Sequence, residues 1–303
     1  MIAILGGLGA AVLWATATLT SSRAGRLIGP SSTVAWMMAV GLLVATPLAL
    51  ASGPIPAMTP NLVLWMAGSG LGGVIGLLLV YRGLSLGKVG VVAALASTEG
   101  AIAAVVSVIA GESMTIPVAA LLCVIAGGIA VVAFLNGTAD AAATGAADVA
   151  DAGEAAAGAK EIRVASERQA VLCGAAAAIC FGVSIYSTAK VGASLSPIAA
   201  VLPVRVVGVV AVFVPLLLSG RLRITRRSVP MVLLIGVAEV FGNAAYVVGA
   251  QDSIAIAAVL ASQFAVVTAI AAFVIFGERL SLYQRSGVAV IAMGVALLTL
   301  VRV

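Results

Sequence analysis

The sequence predicts an all-α integral membrane protein with ten transmembrane helices, arranged as two inverted five-helix repeats. Three observations lead there: a scarcity of charge, ten long apolar runs, and a short motif that occurs once in each half. Of 303 residues, 63% are hydrophobic and only 9% charged, whereas a soluble domain carries about 25% charged residues. A helical span needs about 20 apolar residues. The chain therefore has room for about ten spans and little material for a soluble domain.

In chain order the apolar runs cover 2–21, 32–52, 61–82, 88–110, 116–135, 169–190, 197–219, 229–250, 254–276 and 283–302. The first has no Lys or Arg before Trp14, so it lacks the positive flank of a signal peptide and reads as a span. Thr59-Pro60, Ser196-Pro197 and Ser228-Val229-Pro230 predict the starts of the third, seventh and eighth helices. In each, a hydroxyl can accept an orphan backbone N–H, and the proline has none to satisfy. Ser166-x-x-Gln169 and Ser281-x-x-Gln284 have the capping-box spacing and predict the starts of the sixth and tenth. The ten-residue alternating segments of a membrane β-barrel do not occur.

Residues 136–168 form the one long polar segment, rich in Ala, Gly, Asp and Glu. Such a composition cannot build a core, so the segment reads as a linker, helical in part near Glu154 to Glu167. The expected organisation is a first five-helix repeat over 1–135, a linker over 136–168 and a second repeat over 169–303. Gly111-Glu112-Ser113-Met114-Thr115 after the fourth run is echoed by Gly277-Glu278-Arg279-Leu280-Ser281 after the ninth, an offset of 166. Gly83 matches Gly249 at the same offset, and Pro30 matches Pro197 and Gly41 matches Gly208 one residue further on. Five is odd, so the second copy must cross the membrane in the opposite sense to the first.

Positive residues collect on the cytoplasmic side of a membrane protein. In the first half they lie in the 1–2 connection (Arg23, Arg26) and the 3–4 connection (Arg82, Lys88). In the second half they lie in the 7–8 connection (Arg221, Arg223, Arg226, Arg227) and the 9–10 connection (Arg279, Arg285). With Lys160, Arg163 and Arg168 of the linker, one side holds 13 of the 16 positive residues. This count predicts a multi-pass protein of the cell membrane, with the linker cytoplasmic and both termini outside.

The chain contains no histidine, which excludes Ser-His-Asp triads, haem ligation, Cys/His zinc sites and imidazole proton relays. Cys123, Cys173 and Cys180 lie within apolar runs without CxxC spacing and read as small buried hydrophobes. No cofactor and no metal are expected. The net charge of +5 is too small and too scattered for a nucleic-acid surface. The partners expected are a small-molecule substrate and the lipid bilayer, with protons as a candidate coupling ion.

With ten spans in two copies, each ending in Gly-Glu-x-[Leu/Met]-[Ser/Thr], the chain resembles the drug/metabolite transporter superfamily, specifically its EamA-type members. The second copy carries the closer resemblance, in Ala261-Ser262-Gln263-Phe264-Ala265-Val266-Val267-Thr268 and Phe276-Gly277-Glu278-Arg279-Leu280-Ser281. Two departures stand out: Glu99 and Ala265 occupy places where the family usually has proline, and the linker is unusually long and acidic. The familiar members also resemble a termini-inside arrangement, opposite to the charge count here. The resemblance implies a secondary active transporter and not an enzyme. It would work by alternating access around a cavity between helices 3, 4, 8 and 9, with export of a small metabolite, amino acid or drug as the default. A non-transporting membrane scaffold and an intramembrane enzyme using paired carboxylates are the alternatives.

Three charged residues lie inside spans, and each needs a partner or a cavity. Glu99 sits at the centre of the fourth run, where an ionised carboxylate costs roughly 2.5–3.5 kcal/mol. It reads as a counter-ion for a cationic substrate or as a proton-exchanging group. Glu239, Asn243 and Tyr246 recur at i, i+4 and i+7 and share one face of the eighth helix, a polar stripe that must face protein or water. The resemblance places that stripe beside Glu99 and Gln263. Arg205 requires an acidic partner, with Glu239 the first candidate and Glu99 the second. Gly111, Glu112, Gly277 and Glu278 carry the repeated motif and read as structural, the glutamates through loop hydrogen bonds. Gly68, Gly72 and Gly76 form a small-residue stripe suited to close helix approach.

Overall fold

The computed structural model describes residues 1–53, 57–86, 95–127 and 155–276, together with Val92, Met293 and Leu297. Among these residues every regular element is helical. The elements are α1 (Ile2–Ile28), α2 (Pro30–Ala51), α3 (Pro60–Leu86), α4 (Glu99–Ile109), α5 (Ile116–Gly127) and α6 (Ala155–Gly192). They continue with α7 (Ala199–Leu218), α8 (Val229–Ala250), α9 (Ile254–Ala261) and α10 (Phe264–Phe276). Six helices are long and apolar enough to cross a bilayer: α1, α2, α3, the Arg168–Gly192 part of α6, α7 and α8. Three shorter apolar helices, Glu99–Ile109, Ile116–Gly127 and Ile254–Thr268, lie within the fourth, fifth and ninth runs. The expected tenth run, 283–302, lies outside the described residues.

Several helix starts follow from local chemistry. The Thr59 hydroxyl accepts from Leu62 N–H at 3.2 Å ahead of α3, and the Ser196 hydroxyl accepts from Ala199 N–H at 3.2 Å ahead of α7. One expected start differs, and another keeps its place without the expected cap bond. Helix α6 runs unbroken through Ser166, so Ser166-x-x-Gln169 does not begin it; the helix starts at Ala155, inside the segment expected to be partly helical. Helix α8 begins where expected, with Ser228 at its N-cap position and Pro230 in its first turn, but the Ser228 hydroxyl is committed to Thr225, bonding both its N–H and its carbonyl. Gly111 ends α4 at φ 98. Its N–H reaches Val108 O and that of Glu112 reaches Ser107 O, a Schellman arrangement whose left-handed residue favours glycine.

Two apolar runs are interrupted in a way their composition does not announce. The fourth has a turn at Ser97-Thr98 just before α4, and the ninth has a turn at Ser262-Gln263 between α9 and α10. Helix α7 opens with a 3₁₀ turn at Ala199–Val201 and carries a π-helical turn at Val209–Phe213. Such a turn shifts the register of the faces on either side of it.

Helix α1 packs chiefly on α8, and α3 chiefly on α6. Helix α9 lies against α4 and α1, and α2 against α7 and α8. Small residues allow the backbones to approach: the positions where Gly68, Gly72 and Gly76 would carry a Cβ are filled by Ser187, Cys180 with Ser184, and Phe181 of α6. The outer surface is apolar, with Leu43, Ile109, Ile116 and Leu218 all more than two-thirds exposed. A water-facing surface would not be built this way, whereas lipid is a matching solvent. Cys123 is on that outer surface, so it is not the buried hydrophobe its apolar run suggested.

The two ends of the bundle differ in charge. Near one end the α1–α2 turn meets the α7–α8 loop, where Arg223 N–H donates to Ser32 Oγ at 3.1 Å and Trp36 Nε1 donates to Arg223 O at 3.0 Å. Arg23, Arg26, Arg82 and Arg221 to Arg227 belong to this end. At the other end Ser52 and Ser196 share a hydrogen bond of 2.6 Å, and Lys190 is the only Lys or Arg side chain there among the described residues.

Candidate functional site

The three charged residues within the spans are arranged unequally. Arg205, 1% exposed, reaches across from α7, and its Nη2 donates to Glu239 Oε2 of α8 at 3.0 Å. This is the first of the two partners expected of it. Its Nη1 lies 3.6 Å from the Met38 sulfur of α2, and its Nε has no partner among the described residues. Gly41 makes the crossing possible, because a Cβ there would stand 2.9 Å from Arg205 Cδ. On α7, a Cβ at Gly208 would stand 2.6 Å from Met38 Sδ.

The stripe on α8 is held by its own helix and by α6. Asn243 Nδ2 donates to Glu239 O at 2.7 Å and more weakly to Glu239 Oε2 at 3.4 Å. Tyr246 is fully buried, and its hydroxyl donates to Ile185 O at 3.1 Å. Its ring lies 6.3 Å from that of Trp14, which also meets Phe264 edge-on at 6.1 Å.

Glu99 is different. It opens α4 directly after the Ser97-Thr98 turn, which is closed by Thr98 N–H and Oγ1 both donating to Leu95 O. The residue is partly buried, and among the described residues no hydrogen bond or ion pair reaches its carboxyl group. The Glu239 charge acts on it, and the charges of Glu112 and of Glu99 both act on Tyr246, so these groups share one electrostatic environment. The next residue, Gly100, presses on the other broken helix. A Cβ there would stand 2.4 Å from Ala258 O and 2.5 Å from Ser262 Oγ, so the two interruptions meet. Gln263, in the second interruption, is 5% exposed and its Nε2 has no partner among the described residues. Trp14 Nε1 is likewise buried without a partner.

Gly111 and Glu112 lie toward the Lys190 end, with the Glu112 charge still acting on Tyr246. Glu112 accepts from the Ser253 hydroxyl and from Ala255 N–H at 3.3 Å, placing a carboxylate at the N-terminus of α9, where the helix dipole favours it. Ser253 itself caps α9 through Ile256 N–H at 3.3 Å. Gly277 and Glu278 lie outside the described residues. Sequence reasoning passed over a buried hydroxyl chain between α3 and α6. Ser69 and Thr188 share a hydrogen bond of 2.6 Å, Ser184 Oγ donates to Ser69 O at 2.7 Å, and Thr188 Oγ1 donates to Ser184 O at 2.8 Å. The signal was Ser184-x-x-x-Thr188, one helical turn apart, with Ser69 beside the glycine stripe of the facing helix.

Fold and site together define a class: a helical membrane protein with an apolar shell, interrupted helices and ionisable groups held inside the bundle. The EamA-like transporter family matches residues 1–134 and 168–300, and the chain belongs to that family. It is thus a multi-pass membrane protein of a transporter family. No curated protein matches it. A solved crystal structure aligns with a TM-score of 0.73 over 99% of this chain and 96% of that one. The two are 18% identical, so what they share is the fold.

Proposed function

We propose that the protein is a secondary active transporter. Ten spans in two inverted five-helix repeats would rock around a midplane site containing Glu99, Glu239, Asn243, Tyr246, Gln263 and Arg205. The repeat reading is supported by reciprocal packing: α1 on α8 answers α6 on α3, and α9 on α1 answers α4 on α6. The exchange of Gly41 and Gly208 with Arg205 and Met38 adds to it. Interruptions at corresponding places in two halves are the usual mark of a transporter binding site, and the Ser97-Thr98 and Ser262-Gln263 turns correspond.

The observation that carries the functional reading is the imbalance of charge inside the bundle. Arg205 answers Glu239, and nothing among the described residues answers Glu99. A lone carboxylate in a low-dielectric setting attracts a cation or takes up a proton, so Glu99 would bind a cationic substrate group or carry the coupled proton. Export of a small metabolite, amino acid or drug is the direction we assign, with the linker cytoplasmic and both termini outside.

Counterflow in proteoliposomes with a metabolite panel tests this. Wild-type protein should exchange at least one substrate, Glu99→Gln should lower that exchange at least tenfold, and Glu239→Gln should also reduce it. Unchanged exchange in both variants would remove the site assignment. A reporter fused after Val303 that reads cytoplasm would reverse the orientation.

A further inference from the structure

A second polar cavity lies away from the midplane cluster, at the Lys190 end of the bundle. It measures about 300 Å³ and is bounded by the end of α4 (Ser107, Glu112), the end of α6 (Tyr186, Lys190) and the α8–α9 turn (Asp252, Ser253). That volume is at the lower end of the range for small-molecule sites. Its polar groups are not equally available. Ser107 Oγ donates to Ala104 O at 2.8 Å. Glu112 and Ser253 are bonded to each other and to the start of α9. Asp252 accepts from Ala3 N–H at 3.1 Å and from the Met1 amine at 3.4 Å.

Two groups remain. Lys190 Nζ rests over the Tyr186 ring, 5.2 Å from its centroid, and forms no ion pair among the described residues. A cation–π contact orients an ammonium but leaves N–H donors unused. Tyr186 is 4% exposed and wedged against Trp65, with ring centroids 5.7 Å apart. Its hydroxyl makes no hydrogen bond among the described residues, and the residue lines the cavity. The unanswered chemistry of the cavity is thus one positive charge beside one O–H donor. Glu112 and Asp252 line the same cavity and disfavour a dianion, since like charges repel.

We infer that this cavity is a second small-molecule site, in which Lys190 and Tyr186 bind the carboxylate group of a small monocarboxylate, whether a simple organic acid or an amino acid. Charge-assisted hydrogen bonds from the ammonium and the hydroxyl anchor the carboxylate. The site lies on the surface side of the midplane cluster and does not depend on Glu99. It adds a station on the substrate route if the transport reading holds, and stands as a binding site if that reading fails.

The test uses the full chain in nanodiscs. The protein has three lysines, Lys88, Lys160 and Lys190, so reductive ¹³C-dimethylation, which keeps the positive charge, yields few signals. The one lost in Lys190→Gln is the reporter. Its NMR shift is followed during titration with L-leucine, with 4-methylpentanoate, which keeps only the carboxylate, and with leucinamide, which lacks it. A saturable shift with either carboxylate, at least tenfold weaker with leucinamide and at least threefold weaker in Tyr186→Phe, is the expected result. No saturable shift with either carboxylate, an equal response to leucinamide, or full affinity in Tyr186→Phe would overturn it. Repeating the titration in Glu99→Gln protein separates the two sites: the shift should persist where transport is lost.

Discussion

Glu239 and Glu99 are the same side chain near the middle of two apolar runs, yet the fold treats them in opposite ways. Glu239 lies on an unbroken helix, and three helices converge on it: Arg205 from α7 at 3.0 Å, Asn243 from its own helix α8, and Met38 of α2 behind the guanidinium. Glu99 lies where a helix restarts after a turn, beside a second interrupted helix, with no partner among the described residues. Neutralising a carboxylate in lipid requires another helix to supply the charge. At Glu239 one does, and the group is tied to the scaffold by its ion pair with Arg205. At Glu99 none does among the described residues, and on the proposed reading the group keeps its capacity to exchange.

The largest expected effect follows from that contrast. Arg205→Ala leaves the partly buried Glu239, whose side chain is 23% exposed, beside an empty space and should cost up to about 3 kcal/mol, the low end of the penalty for breaking a buried pair. Replacing both partners with apolar residues, Arg205→Met with Glu239→Leu, should recover most of it, because neither charge is left stranded. Glu99→Gln should change stability by less than about 1 kcal/mol, since no partner is lost. Thermal unfolding of the purified protein followed by size-exclusion fluorescence measures all three. If Glu99→Gln destabilised as much as Arg205→Ala, Glu99 would also belong to the scaffold and the contrast would fail.

The paired half of this comparison was legible in the sequence and the open half only partly so. An arginine and a glutamate inside apolar runs must find each other or something equivalent, so Arg205 with Glu239 follows from the cost of isolation. The Glu239, Asn243 and Tyr246 face follows from helical periodicity, and the helix starts at Thr59 and Ser196 from capping chemistry. The interruptions at Ser97-Thr98 and Ser262-Gln263 did not follow. Both runs are continuous in hydropathy, and the family's usual proline is replaced by Glu99 in one and Ala265 in the other. The turns arise where Gly100 lets two helices touch, a tertiary contact that no local window contains. Ser166 failed for a related reason: capping spacing is a necessary pattern, and a helix that continues upstream makes it irrelevant. The Lys190 cavity was invisible because its walls come from three distant segments.

The next largest effect concerns the meeting of the two interrupted helices. Gly100→Ala would place a methyl 2.4 Å from Ala258 O and 2.5 Å from Ser262 Oγ. The carbonyl belongs to backbone and cannot step aside, so overpacking of about 1–3 kcal/mol is expected. Gly9→Ala is the control: its methyl would sit 3.8 Å from Ala245 Cβ, an ordinary contact. There a helix-interior alanine should be neutral or stabilising by up to about 1 kcal/mol. Equal melting temperatures for the two variants would mean that α4 and α9 can separate freely, and Glu99 would lose the packed setting that keeps it inside the bundle.

The smallest effect tests what holds Arg205. Its Nη1 faces the Met38 sulfur at 3.6 Å, and a thioether is a weak acceptor. Met38→Leu conserves volume and should cost less than about 1.5 kcal/mol. Its methyl branch would fill the space against Gly208, where Met38 now packs. If the carboxylate holds the guanidinium, removing the sulfur leaves the ion pair at Glu239 intact and the melting temperature close to wild type. If Met38→Leu instead lowered stability as far as Arg205→Ala, the arginine would be fixed by its packing between Gly41 and Met38, with the Glu239 contact secondary. Glu239 would then be as free as Glu99, and counterflow should show both carboxylates contributing equally to transport.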